Sequence, residues 1–251
     1  MPVLTCETCG VQLEADDFDA HVALVLDHYT VDHPSYGLGE RQVRNYLERM
    51  PMLSPDTDRR ETIAEVEVAA LTADRVDDVV AFFDRDAFAG NPAWASCYCM
   101  AHLVPGGEAG DEWRGRSWRD NRHDLDSRIR KGELQGIVAY CDGQMVGWCN
   151  ASPRCVFPDY ASGDSTEDDA TGVVACFVVA PTHRGHGLAR RMLAAALDQF
   201  PSIGVTSVEA HPATDPRWPG AAYRGTVPLY TEHGFEVVSE SEHSTIVRRD
   251  I

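Results

Sequence analysis

Residues 181–191, PTHRGHGLARR, place Arg184, Arg190 and Arg191 beside two histidines and two glycines, with no acid among them. The chain around them holds 40 Asp+Glu against 22 Lys+Arg. An apolar helical pattern, LAAALDQF, follows at once. The arginines therefore stand at the start of a helix, where the macrodipole favours anions and opposes cations. The preceding CFVV reads as a strand. A strand, a glycine-rich turn and a helix in that order aim the free first-turn N–H groups beyond the strand end. Gly185 and Gly187 let a ligand approach the backbone closely. No Asp, Ser or Thr stands at the usual cap position, so the sequence predicts that an external anion caps this helix. A glycine-rich connection with solvated arginines uses the same residues.

A second constellation is Cys6-x-x-Cys9, followed by His21 and His28. Two thiolates so spaced can hold one tetrahedral metal. With Leu4, Leu13 and Phe18 placed around them, the segment resembles a two-Cys, two-His zinc finger. That resemblance implies a structural zinc on Cys6, Cys9, His21 and His28. His28 follows His21 by seven residues, about two helical turns or roughly 10.5 Å. It shares the ion only if the helix end unwinds, and Asp27 or His33 are the substitutes for the fourth ligand. Residues 1–33 carry seven acids and no Lys or Arg. Phosphate contacts supply most nonspecific nucleic-acid affinity, so the module is expected to be structural or to contact a protein.

Arg184-x-x-Gly187-x-Ala189 after a hydrophobic strand resembles the acetyl-CoA signature of the GNAT superfamily of N-acetyltransferases. LYTEHGF, residues 229–235, resembles that family's second signature. The resemblance covers about residues 60–251. It implies an α/β fold: a mixed sheet whose two central parallel strands splay apart, flanked by helices, with CoA in the gap. Carried over by position, the backbone of Phe177, Val178 and Val179 pairs with the pantetheine arm. Arg184, Gly185, His186, Gly187, Leu188, Ala189 and Arg190 then hold the pyrophosphate. Tyr230 stands at the family's general-acid position, and Glu209 matches a carboxylate used as base in some relatives. His211, two residues on, is the rival base because an unperturbed imidazole titrates near neutrality. The implied function is acetyl transfer from acetyl-CoA to a primary amine of a small molecule or protein. A non-catalytic CoA-binding protein or a zinc-dependent interaction protein would keep the same residues without turnover.

NPAWASCYCMAHL falls where relatives line the acceptor pocket. Trp94, Tyr98, Trp118 and Trp148 either wall that pocket or fill the core. Cys97 and Cys99 with His102 either bind a metal or are buried thiols.

The elements that must position these groups follow from pattern. TIAEVEVAAL reads as a strand, TADRVDDVVAFFDRD as an amphipathic helix and SWRDNRHDLDSRIRKGEL as a polar helix. Two apolar runs around Asp142-Gly143 make a hairpin. Residues 151–170 read as a long polar connection, TGVVACFVVA as a strand buried on both faces, GVTSVEAHP as a strand and VPLYTEHGF as a short helix. EVVSESEHSTIVRRD closes the domain with one or two strands. The organisation expected is a zinc-finger-like module over 1–33, a helix and linker over 34–58, and the acetyltransferase domain over 59–251.

Bulk numbers bound the rest. A net charge of -18 with a single lysine disfavours nucleic acid and anionic membranes as partners and fits a halophilic source, though a GC-rich genome also favours Arg over Lys. No apolar run is long enough to span a bilayer. With no apolar leader after Met1 and eight cysteines spaced as metal ligands and scattered thiols, a reduced, cytoplasmic protein is expected.

Overall fold

The computed structural model describes residues 1–251 except 1–2, 7, 55–62, 64, 90, 92–93, 108–109, 216–219 and 242–243. The expected boundary near residue 58 lies outside the described residues. A two-stranded hairpin, β1 (Leu4–Thr5) and β2 (Gln12–Leu13), leads into α1 (Phe18–Asp32). Asp17 caps α1, accepting the Ala20 N–H at 2.8 Å. α2 (Glu40–Arg49) follows. The strands β3 (Val66–Ala70), β4 (Gly136–Cys141), β5 (Gln144–Pro153), β6 (Thr171–Val179), β7 (Ser207–Ala210), β8 (Glu236–Glu240) and β9 (Thr245–Asp250) form one sheet. Its order is β3-β4-β5-β6-β7-β9-β8. Only β6 and β7 are parallel, over Thr171 to Val174 against Ser207 to Ala210.

The other helices are α3 (Val76–Arg85), α4 (Asp111–Gly115), α5 (Trp118–Arg130), α6 (Ser165–Ala170), α7 (Leu188–Gln199) and α8 (Val227–Thr231). α7 buries Leu188, Met192, Leu193, Ala196 and Leu197, one face at helical spacing, against one side of the sheet. α3 and α5 cover the other side. The predicted β4–β5 hairpin turns on Asp142 (φ 50°) and Gly143 (φ 78°), the two left-handed residues of a type I′ turn. The polar connection hides α6, whose cap Asp164 accepts the Thr166 N–H at 3.0 Å. Six residues are too few to show a periodicity.

Two features of β6 prepare the site. Its pairing with β5 passes from Asn150↔Cys176 to Ala151↔Val174, so Ala175 is an extra residue in a bulge. The bulge resets the alternation. Ala175 and Cys176 both join the core under α3, whereas Val174 and Phe177 face α7. Beyond Val174 the pairing with β7 ends while β6 runs on to Val179, leaving its far half beside an open wedge.

The N-terminal segment is docked on this frame. Leu4, Val22, Tyr29, Val43 and Leu47 belong to the same buried cluster as Phe82 and Phe83. Arg49, fully buried at the end of α2, donates from Nη2 to the carbonyls of Phe83 (2.6 Å) and Asp84 (2.9 Å) and lies over the Tyr98 ring. Among the described residues no helix is long and apolar enough to cross a membrane.

Candidate active site and metal centre

The turn before α7 is built as its residue types require. Gly185 has φ 85° and Gly187, the N-cap of α7, has φ 75°, and a Cβ at either would meet nothing within 4 Å. Here glycine answers a backbone conformation rather than crowding. No side chain caps α7. Its first-turn N–H groups open onto a cavity of about 240 Å³ between the far half of β6 and residues 222–223. Phe177, Val179, Arg184, Gly185, Gly187, Leu188 and Ala189, all named from the sequence as cofactor-site candidates, line that cavity. Val178 is fully buried in the core facing α3, and His186 is not among the lining residues. Arg190 instead pairs with Glu232 of the segment after α8. Arg184 is held at the strand end by its Nε, which donates to the Val179 carbonyl at 3.1 Å.

The cavity wall includes Tyr223, which sequence reasoning passed over. Asn91 Nδ2 donates to its hydroxyl at 2.9 Å. Burial pushes the phenol up to about 12, with Arg184 alongside working the other way. The ring also lines a narrow waist of about 10 Å³ formed with Phe88, Trp94, Cys97, His102 and Cys176. Past the waist a second cavity of about 280 Å³ opens, bordered by His102, Asp159, Tyr160 and Arg224. Tyr223 borders the first two spaces, and His102 and Arg224 border the last two, so the three lie next to one another along β6.

Both side chains expected to be catalytic are buried and hold polar partners. Tyr230 is fully buried against Phe177 and Phe235, and its hydroxyl donates to the Arg224 carbonyl at 2.9 Å. Burial raises it well above the usual phenol range, so it stays protonated, but its proton is directed at the backbone. Glu209 is 8% exposed, and its Oε2 accepts from Arg154 Nη1 at 3.0 Å and Arg248 Nη2 at 2.9 Å. Arg154 also binds Asp168 at 2.7 Å and Glu167 at 2.8 Å. Asp168 is held down at about 2, first by the Ser162 N–H. Where the sequence led one to expect a base, the Glu209 carboxylate is held between two guanidiniums. The reason is register: Glu209 lies opposite Val173, on the paired part of β6 and before the wedge. His211 stacks on Tyr160, 4.6 Å between centroids and 12° between planes, and burial lowers its pKa.

Of the tryptophans, Trp148 is core and Trp118 meets Glu48 of α2 through Nε1 at 3.0 Å. Tyr98 is also core, its hydroxyl on Asp84 at 2.6 Å. Trp94 alone of the four lines the waist. Cys97, Cys99 and His102 do not gather as ligands. Cys99 accepts from Asn150 Nδ2 at 3.4 Å, and His102 Nδ1 lies 3.3 Å from the Tyr160 hydroxyl.

The sequence of residues 106–235, just over half of the 251, matches the model of the Acetyltransferase (GNAT) family. The chain belongs to that family. Similar solved structures include an N-acetyltransferase from Staphylococcus aureus Mu50 (11% identity, 74% of this chain and 99% of that one, TM-score 0.46). A GNAT-family acetyltransferase from Streptococcus pneumoniae is 15% identical over 74% of this chain and 99% of that one, with TM-score 0.45. The PaiA N-acetyltransferase from Thermoplasma acidophilum, in complex with coenzyme A, is 11% identical over 75% and 100%, with TM-score 0.46. No curated protein sequence matches the chain.

This GNAT chain carries one group of potential metal ligands among the described residues: Cys6, Cys9, His28 and His33, with donor atoms all within 4.8 Å of one another. Cys6 Sγ is 3.4 Å from His33 Nε2, and Cys9 Sγ is 3.5 Å from His28 Nε2. Sulfur and nitrogen ligands of a tetrahedral zinc stand about 3.6 Å apart, given bond lengths of about 2.3 and 2.0 Å. The donor set fits. Asp32 Oδ2, 2.7 Å from His28 Nδ1, takes the Nδ1–H and leaves Nε2 bare for a metal. Burial works against the Cys6 thiolate, but hydrogen bonds from His28 and the backbone bring it down to about 6. His21 is the correction. It is fully buried, and its Nε2 sits 3.0 Å from the Leu13 carbonyl, away from the cluster. Two turns of α1 separate it from His28, so both cannot reach one ion. The thiols of Cys6 and Cys9 meet His33 and His28 at the helix end instead. The signal was present: His33 follows His28 with four residues between, inside the usual spacing.

Proposed function

We propose that this protein is an acetyl-CoA-dependent N-acetyltransferase acting on a primary amine, with a zinc-binding N-terminal module. One observation supports the cofactor assignment above the rest. The uncapped N-terminus of α7, the left-handed Gly185 and Gly187, and Arg184 surround a cavity that runs along the unpaired half of β6. Free N–H groups and the helix dipole suit a pyrophosphate. The open edge of β6 suits an amide-bearing arm lying beside it, which would carry the thioester toward the bulge and the waist.

The acceptor amine enters from the opposite end of the cleft, through the outer cavity. Its nitrogen attacks the thioester carbonyl at the waist. The leaving thiolate takes a proton from a tyrosine, either Tyr230 after its hydroxyl turns from the Arg224 carbonyl or Tyr223, which already lines both spaces. Glu209 holds Arg154 and Arg248 and so ties β7 to the turn after β5 and to β9.

In the N-terminal module, Cys6, Cys9, His28 and His33 would hold zinc. The ion would tie the hairpin to the end of α1, a segment too small to be stabilised by its own core. Calorimetry with acetyl-CoA, together with thiol detection of released CoA over a panel of primary amines, tests the assignment. No binding, or binding without amine-dependent CoA release, would remove the enzymatic reading in favour of a non-catalytic CoA-binding or zinc-dependent interaction protein.

A further inference from the structure

Acetyl transfer needs a group to take the proton from the attacking nitrogen, and Glu209 is held by two arginines. The cleft offers another. His102 is half-buried and borders both the waist and the outer cavity, the two spaces an acceptor must traverse. Its position is pinned through the backbone. Tyr98 and Cys99, just before it, hold φ of 47° and 55°. Such conformations cost energy for non-glycine residues and persist where surroundings enforce them. Here Tyr98 is buried between Phe83 and Arg49, and Cys99 is tied to Asn150 beside the bulge.

The ring has an orienting partner. His102 Nδ1 lies 3.3 Å from the Tyr160 hydroxyl, and Tyr160 stacks between His102 (6.1 Å, 29°) and His211 (4.6 Å, 12°). In the tautomer that donates Nδ1–H to the Tyr160 oxygen, Nε2 keeps its lone pair. Arg224, on the same wall, disfavours a second positive charge in the cleft, and the apolar waist disfavours it further.

We propose that His102, oriented by Tyr160, accepts the proton from a primary amine on a slender arm that reaches the thioester in its neutral form through the outer cavity. This rests on the acetyltransferase reading above. The nitrogen lone pair forms the C–N bond and the carbonyl electrons move to oxygen. One N–H proton passes to Nε2, the carbonyl re-forms, and the C–S bond breaks with its electrons on sulfur. The thiolate then takes a proton from a tyrosine, and His102 and that tyrosine re-equilibrate with water. Burial, with Arg224 and His211 nearby, pulls His102 down to about 3, so it is neutral at working pH. The proton it takes is on nitrogen already bonded to the tetrahedral carbon, where it is more acidic than in a free ammonium. The charged and titratable groups around the ring are Arg224, His211, Tyr160 and Asp159.

The experiment measures CoA release with two probe amines, propylamine and the largely neutral trifluoroethylamine, alongside acetyl-CoA affinity and thermal stability. His102→Gln should bind acetyl-CoA within about two-fold of wild type and lose about 10²–10⁴ in rate. Tyr160→Phe should lose about ten-fold, because the tautomer is no longer fixed. Added imidazole should restore part of the rate to His102→Ala. A His102→Gln protein at wild-type rate overturns the assignment. So does a slow one with weakened acetyl-CoA binding and a lowered Tm, which assigns the histidine to packing, and so does a His102→Ala protein that imidazole leaves unrescued. A wild type that binds acetyl-CoA yet acetylates neither amine overturns the enzymatic reading itself, a result distinct from failure of the histidine alone.

Discussion

Glu209→Gln separates an anchoring carboxylate from a catalytic one. The substitution keeps shape and removes charge. Two contacts on Oε2 weaken: Arg154 at 3.0 Å, where both side chains are under a tenth exposed, and Arg248 at 2.9 Å, where the arginine is 42% exposed. Water compensates the second, so it counts as a surface pair of about 0–1 kcal/mol. The first is a buried charge-assisted hydrogen bond of about 1.5–3 kcal/mol. Arg154 keeps Asp168 and Glu167, so no unpaired buried charge is created. The expected total is about 1.5–4 kcal/mol, or roughly 3–16 °C in Tm for a chain of this size. Arg154→Met should cost more, because it leaves Glu209 buried with only the half-exposed Arg248; breaking such a pair costs about 3–5 kcal/mol. Thermal unfolding and acetyl transfer at a temperature where both variants are folded would be measured together. The anchoring role requires Glu209→Gln to lose stability while keeping kcat within a few-fold. A fall in kcat of about 10²–10⁴ with an unchanged Tm would refute the reasoning and restore Glu209 as the base.

Arg184→Ala should weaken acetyl-CoA binding by about 1–3 kcal/mol, while a pantetheine analogue lacking the pyrophosphate should bind both proteins alike; calorimetry with the two ligands decides. Metal analysis should find one zinc per chain, lost in Cys6→Ser and His33→Ala but retained in His21→Ala, and zinc should be released on acidification as the thiolates protonate. Of the two tyrosines, the one that serves as acid should lose about 10²–10⁴ in kcat on change to Phe with acetyl-CoA affinity intact; equal and small losses in Tyr230→Phe and Tyr223→Phe would leave the proton to water. Because His102 is about 3 when folded against an ordinary 6.5, the unfolded chain binds its proton first as pH falls. Stability therefore drops between about 6.5 and 3, and His102→Gln should flatten that slope in Tm measured against pH.

The local grammar of the chain was legible because it is written in neighbouring residues. Asp142-Gly143 demands left-handed backbone and makes the hairpin. Apolar spacing in α7, and the glycines before it, specify a helix with an open N-terminus. Those signals act within a few residues, so the sequence alone determined the β4–β5 hairpin, α7 and the glycine-rich turn between β6 and α7. Cys6-x-x-Cys9 likewise marked the knuckle that brings two thiols together. Tertiary structure decided what depends on distance between segments far apart in sequence. His33, not His21, gathers with Cys6, Cys9 and His28 because three-dimensional reach, not order along the helix, decides which donors meet. Glu209 meets Arg154 and Arg248, 55 and 39 residues away, because strand register sets it beside them. His102, Tyr160, Tyr223 and Arg224 come from three separate loops, and none carries a spacing that marks it. They form a cleft only because β6 bulges at Ala175 and outruns β7, and no local propensity encodes that packing event.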